Sequence, residues 1–298
     1  MTRAIEYFLV RAFFVVLQCL SYPAALRLAR GVARLVHRLD TTPRVRALDN
    51  LRLAYRGALG EARAREIVRG VFETIGGHIA EVAHAARQKG RGVRIENGQL
   101  LTDAYKLGRG VVVVSAHMGC WIRMALIPRL FQVNGAVIMK KQRNDALLQW
   151  GIRHLRQYFD MGVIEKKDAG DRIAPMLQSG GIVTFFADQH PRRGGFAARF
   201  FGLPVMAASG PAVYAKRLGC PLLVFTAVTA ADSVQVLRFE GPISTEGTHE
   251  EISQGWLDLL ESRIREYPEQ WMWMHRRWRE LPSQAPVAPV HLASAAQE

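Results

Sequence analysis

The chain has 298 residues, 49% of them hydrophobic, and its 40 Lys and Arg against 26 Asp and Glu give a net charge of +14. That length can bury a full core as one large α/β domain, and the charge favours an acidic partner: nucleic acid, anionic lipid, a phosphorylated substrate or an acidic carrier protein. Cys19, Cys120 and Cys220 stand far apart without Cys-x-x-Cys spacing, which argues against a disulfide framework or structural zinc and fits a reducing compartment.

The basic excess is concentrated early: residues 1–69 hold thirteen Arg against five Asp and Glu, a net of +8. The run from Ile5 to Leu20 is apolar except for Glu6, Arg11 and Gln18. It falls short of the roughly 20 apolar residues of a spanning helix and lacks the small-residue cleavage site of a signal peptide. Next, Arg27, Arg30, Arg34 and Arg38 recur every three or four residues beside apolar positions. This spacing predicts a helix lying on an anionic membrane surface, each arginine contributing ~1 kcal/mol near the lipid. A single marginal span and a buried hairpin with solvated arginines are the alternatives.

Glu61 to Arg87 follows a helical pattern, with Val68, Val71, Phe72, Ile75, Ile79 and Val82 at helical spacing. Strands are predicted at Val111–Ser115, Ala136–Lys140, Ile182–Ala187, Leu222–Val228 and Val234–Phe239, and helices at Ala146–Phe159, Asp171–Gln178, Ala208–Leu218 and Glu250–Tyr267. Such alternation predicts an α/β fold with a central mixed, largely parallel sheet flanked by helices. Residues 282–298, rich in Pro, Ala and Ser, read as a disordered tail.

His117 follows four consecutive valines, Val111 to Val114, and precedes the helix-compatible stretch Trp121 to Leu130. This places an imidazole at a strand-to-helix corner, where open α/β sheets collect their chemistry. A neutral ring there can take a proton from an attacking hydroxyl; a corner histidine bonded to backbone is the structural alternative. Glycine-rich nucleotide loops, Gly-x-Ser-x-Gly and His-Glu-x-x-His are absent from the sequence, so nucleotide-driven chemistry, serine hydrolysis and zinc proteolysis have no support. Lys140-Lys141-Gln142-Arg143-Asn144 closes one strand with donors suited to phosphate oxygens, and Asp188-Gln189-His190 closes another. Nucleic-acid binding is the weakest reading of the charge, since neither a stacking platform nor a recognition-helix motif accompanies the arginines.

Taken in order, these segments resemble the late acyltransferases of lipid A biosynthesis, the bacterial lauroyl and myristoyl transferases of the lysophospholipid acyltransferase-like superfamily. The resemblance runs from about Tyr7 to Pro282. It rests on the apolar N-terminal helix, Arg46 with Asn50-Leu51, the His117-x-Gly119-x-Trp121 corner, Arg143-Asn144, Asp188-Gln189, Phe200-Phe201-Gly202, Gly210-Pro211-Ala212, Glu240-x-Pro242 and Trp273-x-His275-Arg276-Arg277. It implies a glycerol-phosphate acyltransferase-like domain over 41–281, preceded by a membrane-associated segment over 1–40. It also implies an enzyme on the cytoplasmic face of the bacterial inner membrane. Such an enzyme moves a fatty acyl chain from acyl carrier protein to a hydroxyl of a phosphorylated glycolipid, with neither metal nor other cofactor. By the same resemblance His117 is the general base and Arg156 holds acceptor phosphate or the oxyanion. Lys141, Arg143, Asn144, Asp188 and Gln189 form the substrate-binding set, with Asp188 orienting the cations.

One departure bears on the chemistry. The family pattern is His, four residues, then Asp or Glu, and here the last position is Ile122. In a serine-protease triad, replacing the orienting carboxylate lowers the rate roughly 10⁴-fold. Ile122 leaves three readings open: a substitute orienter supplied through the fold (Asp103, Asp145 or Asp188, or more weakly a backbone carbonyl), an acceptor such as an amine that needs less help, or a catalytically silent relative that binds lipid without turnover.

Overall fold

A computed structural model of the chain describes residues 2–88, 92–140, 144–156, 160–191, 194–231 and 234–279; the segment 282–298, expected as a disordered tail, lies outside them. The chain opens with four helices: α1 (Thr2–Cys19), α2 (Tyr22–Leu39), α3 (Thr41–Tyr55) and α4 (Glu61–Gln88). The apolar run and the arginine stripe fall on separate helices, because Pro23 lies in the first turn of α2, where a missing N–H costs nothing. Asp40 accepts from the Thr42 N–H and starts α3, an element the hydrophobic pattern did not reveal.

The α2 helix lies on α4 through Ala25 and Ala29, both buried. A Cβ on Gly76 of α4 would stand 2.7 Å from the Ala29 carbonyl oxygen and 2.9 Å from the Ala33 Cβ, so glycine is what allows the two backbones to approach. Among the described residues, no helix is long and apolar enough to cross a membrane.

Beyond α4 run β1 (Val93–Glu96), α5 (Gly98–Lys106), β2 (Val111–Ser115), α6 (Ile127–Phe131), β3 (Gly135–Met139), α7 (Asp145–Arg156), β4 (Gly162–Glu165), α8 (Ala169–Gln178) and β5 (Ile182–Phe186). They are followed by β6 (Phe196–Phe200), β7 (Leu203–Ala207), α9 (Ser209–Leu218), β8 (Leu222–Thr229), β9 (Gln235–Ile243) and α10 (His249–Glu266). Seven strands form one sheet in the order β1-β9-β8-β2-β5-β3-β4, and β6 and β7 form a separate hairpin. Every pair in the large sheet is parallel except β8 with β9. The five predicted strands are present to within a few residues. The additional strands β1 and β4 are four-residue edge strands, too short to show a period.

Central strand β2 explains its own sequence. Val112 and Val114 pack on one face with Ala212, Ala215 and Trp256, while Val111 and Val113 pack on the other with Leu101, Ala104 and Ile127. A parallel strand covered by helices on both faces needs apolar residues at every position, which is why it reads as a continuous run of valine. The stretch expected to continue as a helix after His117 is instead a 3₁₀ turn, Trp121–Leu126, with α6 beginning afterwards. Pro128 sits in the first turn of α6 and suits a helix start, not a helix interior.

Two features hold the corner after β2. Arg123 donates to Glu81 of α4 at 2.9 Å, with each side chain only 9% exposed. Gly119 has φ +51°, and a Cβ there would stand 1.8 Å from the Ala227 carbonyl oxygen on β8. Glu81→Ala removes the carboxylate paired with this buried guanidinium and is expected to lower stability by about 3–5 kcal/mol. A Glu81→Leu/Arg123→Met double variant should recover most of that loss, both read from urea-unfolding midpoints. Gly119→Ala combines left-handed strain with a backbone clash, and a loss of about 2–5 kcal/mol is expected in the same measurement.

Candidate active site

His117 lies two residues past the end of β2, and Asp188 two residues past the end of β5. The strands are parallel and in register, Ser115 opposite Phe186, and the Ala187 N–H continues the ladder to the Ser115 carbonyl at 3.1 Å. Two further residues along each strand bring the imidazole and the carboxylate together. The His117 Nδ1 and Asp188 Oδ1 are 2.9 Å apart, and the His117 backbone N–H donates to Asp188 Oδ2 at 3.0 Å. A third donor, the Trp271 indole N–H, reaches Oδ2 at 2.9 Å.

The Asp188 side chain is 1% exposed and that of His117 is 24% exposed. The ring lies between two aromatic walls, with centroids 4.8 Å from Phe186 and 5.5 Å from Trp121. Burial pulls the imidazole pKa down, but the charge and hydrogen bond of Asp188 outweigh it and hold the value above the ordinary histidine range. For Asp188, burial favours the neutral acid. The His117 charge, together with hydrogen bonds from His117 and Trp271, reverses this and lowers the pKa, so the carboxylate stays ionised.

With its proton on Nδ1 donated to Asp188, a neutral His117 carries its lone pair on Nε2, which makes no hydrogen bond among the described residues. That tautomer is the one a general base requires. Cys120 is not a rival nucleophile: burial pushes its thiol pKa well up, so it remains protonated. Among the described residues, no group of three His, Cys, Asp or Glu is arranged to hold a metal ion.

The other expected site residues are distributed unevenly. The Gln189 amide nitrogen stands 3.4 Å from His117 Nδ1, at the edge of the dyad. Asn144 accepts from the Leu147 N–H at the start of α7 and donates to Glu6 of α1 at 3.1 Å, tying those helices together. Arg156 ends α7, while Lys141 and Arg143 lie outside the described residues. Of the arginine stripe, Arg27, Arg34 and Arg38 are exposed and Arg30 is half-buried against Gly77; Arg34 pairs with Glu73 at 3.6 Å.

Ile122 lies in the 3₁₀ turn, and the carboxylate it fails to supply comes from a different strand. The sequence offers Asp188 for head-group orientation and, beside Asp103 and Asp145, as one of three distant carboxylates able to reach His117 through the fold; the structure brings Asp188 to the ring. The signal was present, since both residues follow predicted strands at equal offsets, but the pairing of those strands was not. Trp271 carried no such signal: its partner lies across the sheet end, and tryptophans are common in cores.

The profile of the bacterial lipid A biosynthesis acyltransferases matches residues 1–280. A lipid A biosynthesis lauroyltransferase of Escherichia coli (strain K12) is 24% identical over 278 residues, covering 90% of this chain and 89% of that protein. A lipid A biosynthesis palmitoleoyltransferase of the same organism is 27% identical over 245 residues, 79% of this chain and 78% of that one. A lipid A biosynthesis acyltransferase of Shigella flexneri matches to the same extent. With a catalytic-type dyad at the carboxyl end of its sheet and a profile match over nearly its whole length, this chain belongs to the bacterial lipid A biosynthesis acyltransferase family and is an acyltransferase.

Proposed function

We propose that the enzyme transfers a fatty acyl chain from the thioester of acyl carrier protein to a hydroxyl of a phosphorylated glycolipid, with His117 as general base and Asp188 as its orienting carboxylate. The observation that carries this reading is the 2.9 Å contact between His117 Nδ1 and Asp188 Oδ1. It supplies through the fold what Ile122 does not supply locally. In the step itself, His117 Nε2 takes the acceptor hydroxyl proton as the oxygen attacks the thioester carbonyl carbon. Asp188 stabilises the imidazolium that forms, as the aspartate does in a serine-protease triad. The tetrahedral intermediate collapses by breaking the carbon–sulfur bond, and the imidazolium returns its proton to the departing thiolate.

The cations Lys141, Arg143 and Arg156 are assigned to acceptor phosphate, with Gln189 beside the reacting hydroxyl. Asn144 is assigned to holding α7 in place, and the sealed position of Asp188 favours orienting the imidazole over binding head group. Residues 1–40 are assigned to docking on the cytoplasmic face of the inner membrane, ahead of the acyltransferase domain over 41–281. Support comes from the apolar side chains that α1 and α2 expose, Phe8 at 69% and Leu39 at 74% among them, beside Arg27, Arg34 and Arg38.

Three outcomes are expected. His117→Ala and Asp188→Asn should each lower kcat steeply, Asp188→Asn by roughly 10³–10⁴-fold as in triads that lose their carboxylate, measured by thiol release from acyl carrier protein with a lipid A precursor as acceptor. Unchanged turnover in His117→Ala would remove the assignment. The pH profile gives a second reading: the base works only when neutral, so activity should rise with pH through a limb above the usual histidine pKa. Asp188→Asn should move that limb to lower pH. Ile122→Glu should bring no activation, because Nδ1 is already engaged.

Docking is tested on vesicles containing anionic lipid. Replacing Arg27, Arg34 and Arg38 together by Gln should weaken partitioning on the order of 10²-fold at low salt, at ~1 kcal/mol for each charge. Equal partitioning of variant and parent would assign these arginines to solvent.

A further inference from the structure

We propose that Trp271 is a positioning residue of the acyl-transfer site, its indole N–H holding Asp188 so that one carboxylate oxygen is left for the imidazole. The inference rests on reading His117 as the base oriented by Asp188.

Trp271 belongs to the strap that follows α10, and the strap is joined to the catalytic corner along its backbone. Gly119 N–H donates to the Gln270 carbonyl at 2.7 Å, Met272 N–H donates to the His117 carbonyl at 3.1 Å, and Met118 and Trp271 form an antiparallel bridge. The strap is itself fixed from both sides. The Gln270 side chain accepts from the Thr229 N–H and donates to its carbonyl, at 2.8 and 2.7 Å, and Asn50 donates to the Trp273 and His275 carbonyls at 2.6 Å each. The indole is therefore delivered to Asp188 by a rigid frame.

Packing alone does not account for that bond. The Trp271 ring is 1% exposed and lies against Phe200, Trp273 and Trp278, contacts that need no N–H. The buried indole nitrogens of Trp256 and Trp278 have no hydrogen-bond partner among the described residues, so the fold accommodates a tryptophan without one. At position 271 the N–H meets a carboxylate oxygen that would otherwise have only the His117 backbone amide to fix it. With Oδ2 held by two donors, rotation of the carboxylate is blocked and Oδ1 stays on His117 Nδ1.

The charges around the pair leave room for such a role. His190 follows Asp188 in sequence, and His275 and Arg277 lie on the strap within electrostatic reach of Asp188. His78 stacks edge-on against Trp121, beyond the far wall of the His117 ring. Burial lowers His275 to about 4 and His78 to about 3, so both are neutral at working pH. Arg277 directs one N–H to the Met206 carbonyl at 2.8 Å and forms no ion pair with Asp188 among the described residues. The hydrogen bonds that fix the Asp188 carboxylate therefore come from His117 and Trp271.

The test compares Trp271→Phe with replacement of Trp271 by 3-benzothienylalanine, which keeps the indole's shape and lacks its N–H. In the full-length protein, kcat should fall on the order of 10- to 100-fold, as for loss of one hydrogen bond to a charged group. KM should change little. Without the indole, the full carboxylate charge falls on His117 and raises its pKa, so the acid limb of kcat/KM should move to higher pH. This is opposite in sign to the shift expected of Asp188→Asn. Should Trp271→Phe lose its fold, seen as a collapsed Tm, the isosteric analogue decides. An analogue with unchanged kcat, or with reduced kcat and an unmoved acid limb, overturns the proposal and leaves Trp271 a packing residue. Retained activity in His117→Ala would instead overturn the reading of the base beneath it.

Discussion

The parallel pairing of β2 with β5 sets Ser115 opposite Phe186, and the two residues that follow on each strand bring His117 against Asp188. A shift of one residue in that register would change both the separation and the face on which the side chains emerge, because strand side chains alternate. The register is secured by burial: all five β2 residues are buried, with helices over both faces of the sheet. The geometry of the His117–Asp188 pair is thus a by-product of packing a valine strand, and it needs no carboxylate within the His117 turn.

The proposed pairing accounts for an acyltransferase of this family whose turn carries Ile122. A carboxylate five residues after the histidine and a carboxylate at the end of the neighbouring strand can serve the same nitrogen, since an imidazole needs only one acceptor at Nδ1 to hold its tautomer. Here that place is filled by Asp188, sealed from water and kept ionised by the donors around it. A buried carboxylate without such donors would take up a proton and cease to orient anything. The strap after α10 is therefore joined to the His117–Asp188 pair as well as to the core.

The corner also depends on contacts that never touch the reacting atoms. Gly119 lets the chain turn against β8, and the Glu81–Arg123 pair ties the following 3₁₀ turn to α4. Because α4 in turn carries α2 across Gly76, the arginine-bearing surface and the dyad share one rigid support. In the membrane-docked arrangement proposed above, such a support would hold the reacting groups to a fraction of an ångström while the enzyme sits on a fluid partner.

From the amino-acid order alone came the α/β class, the central strands, the long helix over 61–87, the imidazole at a strand end and the uneven basic charge. Each depends on a local period or a local composition, which a chain displays without being folded. The edge strands β1 and β4 and the helix α3 were not legible, being short or lacking a clear apolar stripe. Which of Asp103, Asp145 and Asp188 would partner His117 was not legible either. Asp188 is 71 residues away and Trp271 a further 83, and which strands lie side by side is settled by the competition of all the buried faces at once. Sequence therefore determined which residue could act as the base, and the tertiary structure alone decided which carboxylate and which indole would hold it, because only packing brings distant strand ends within hydrogen-bonding distance.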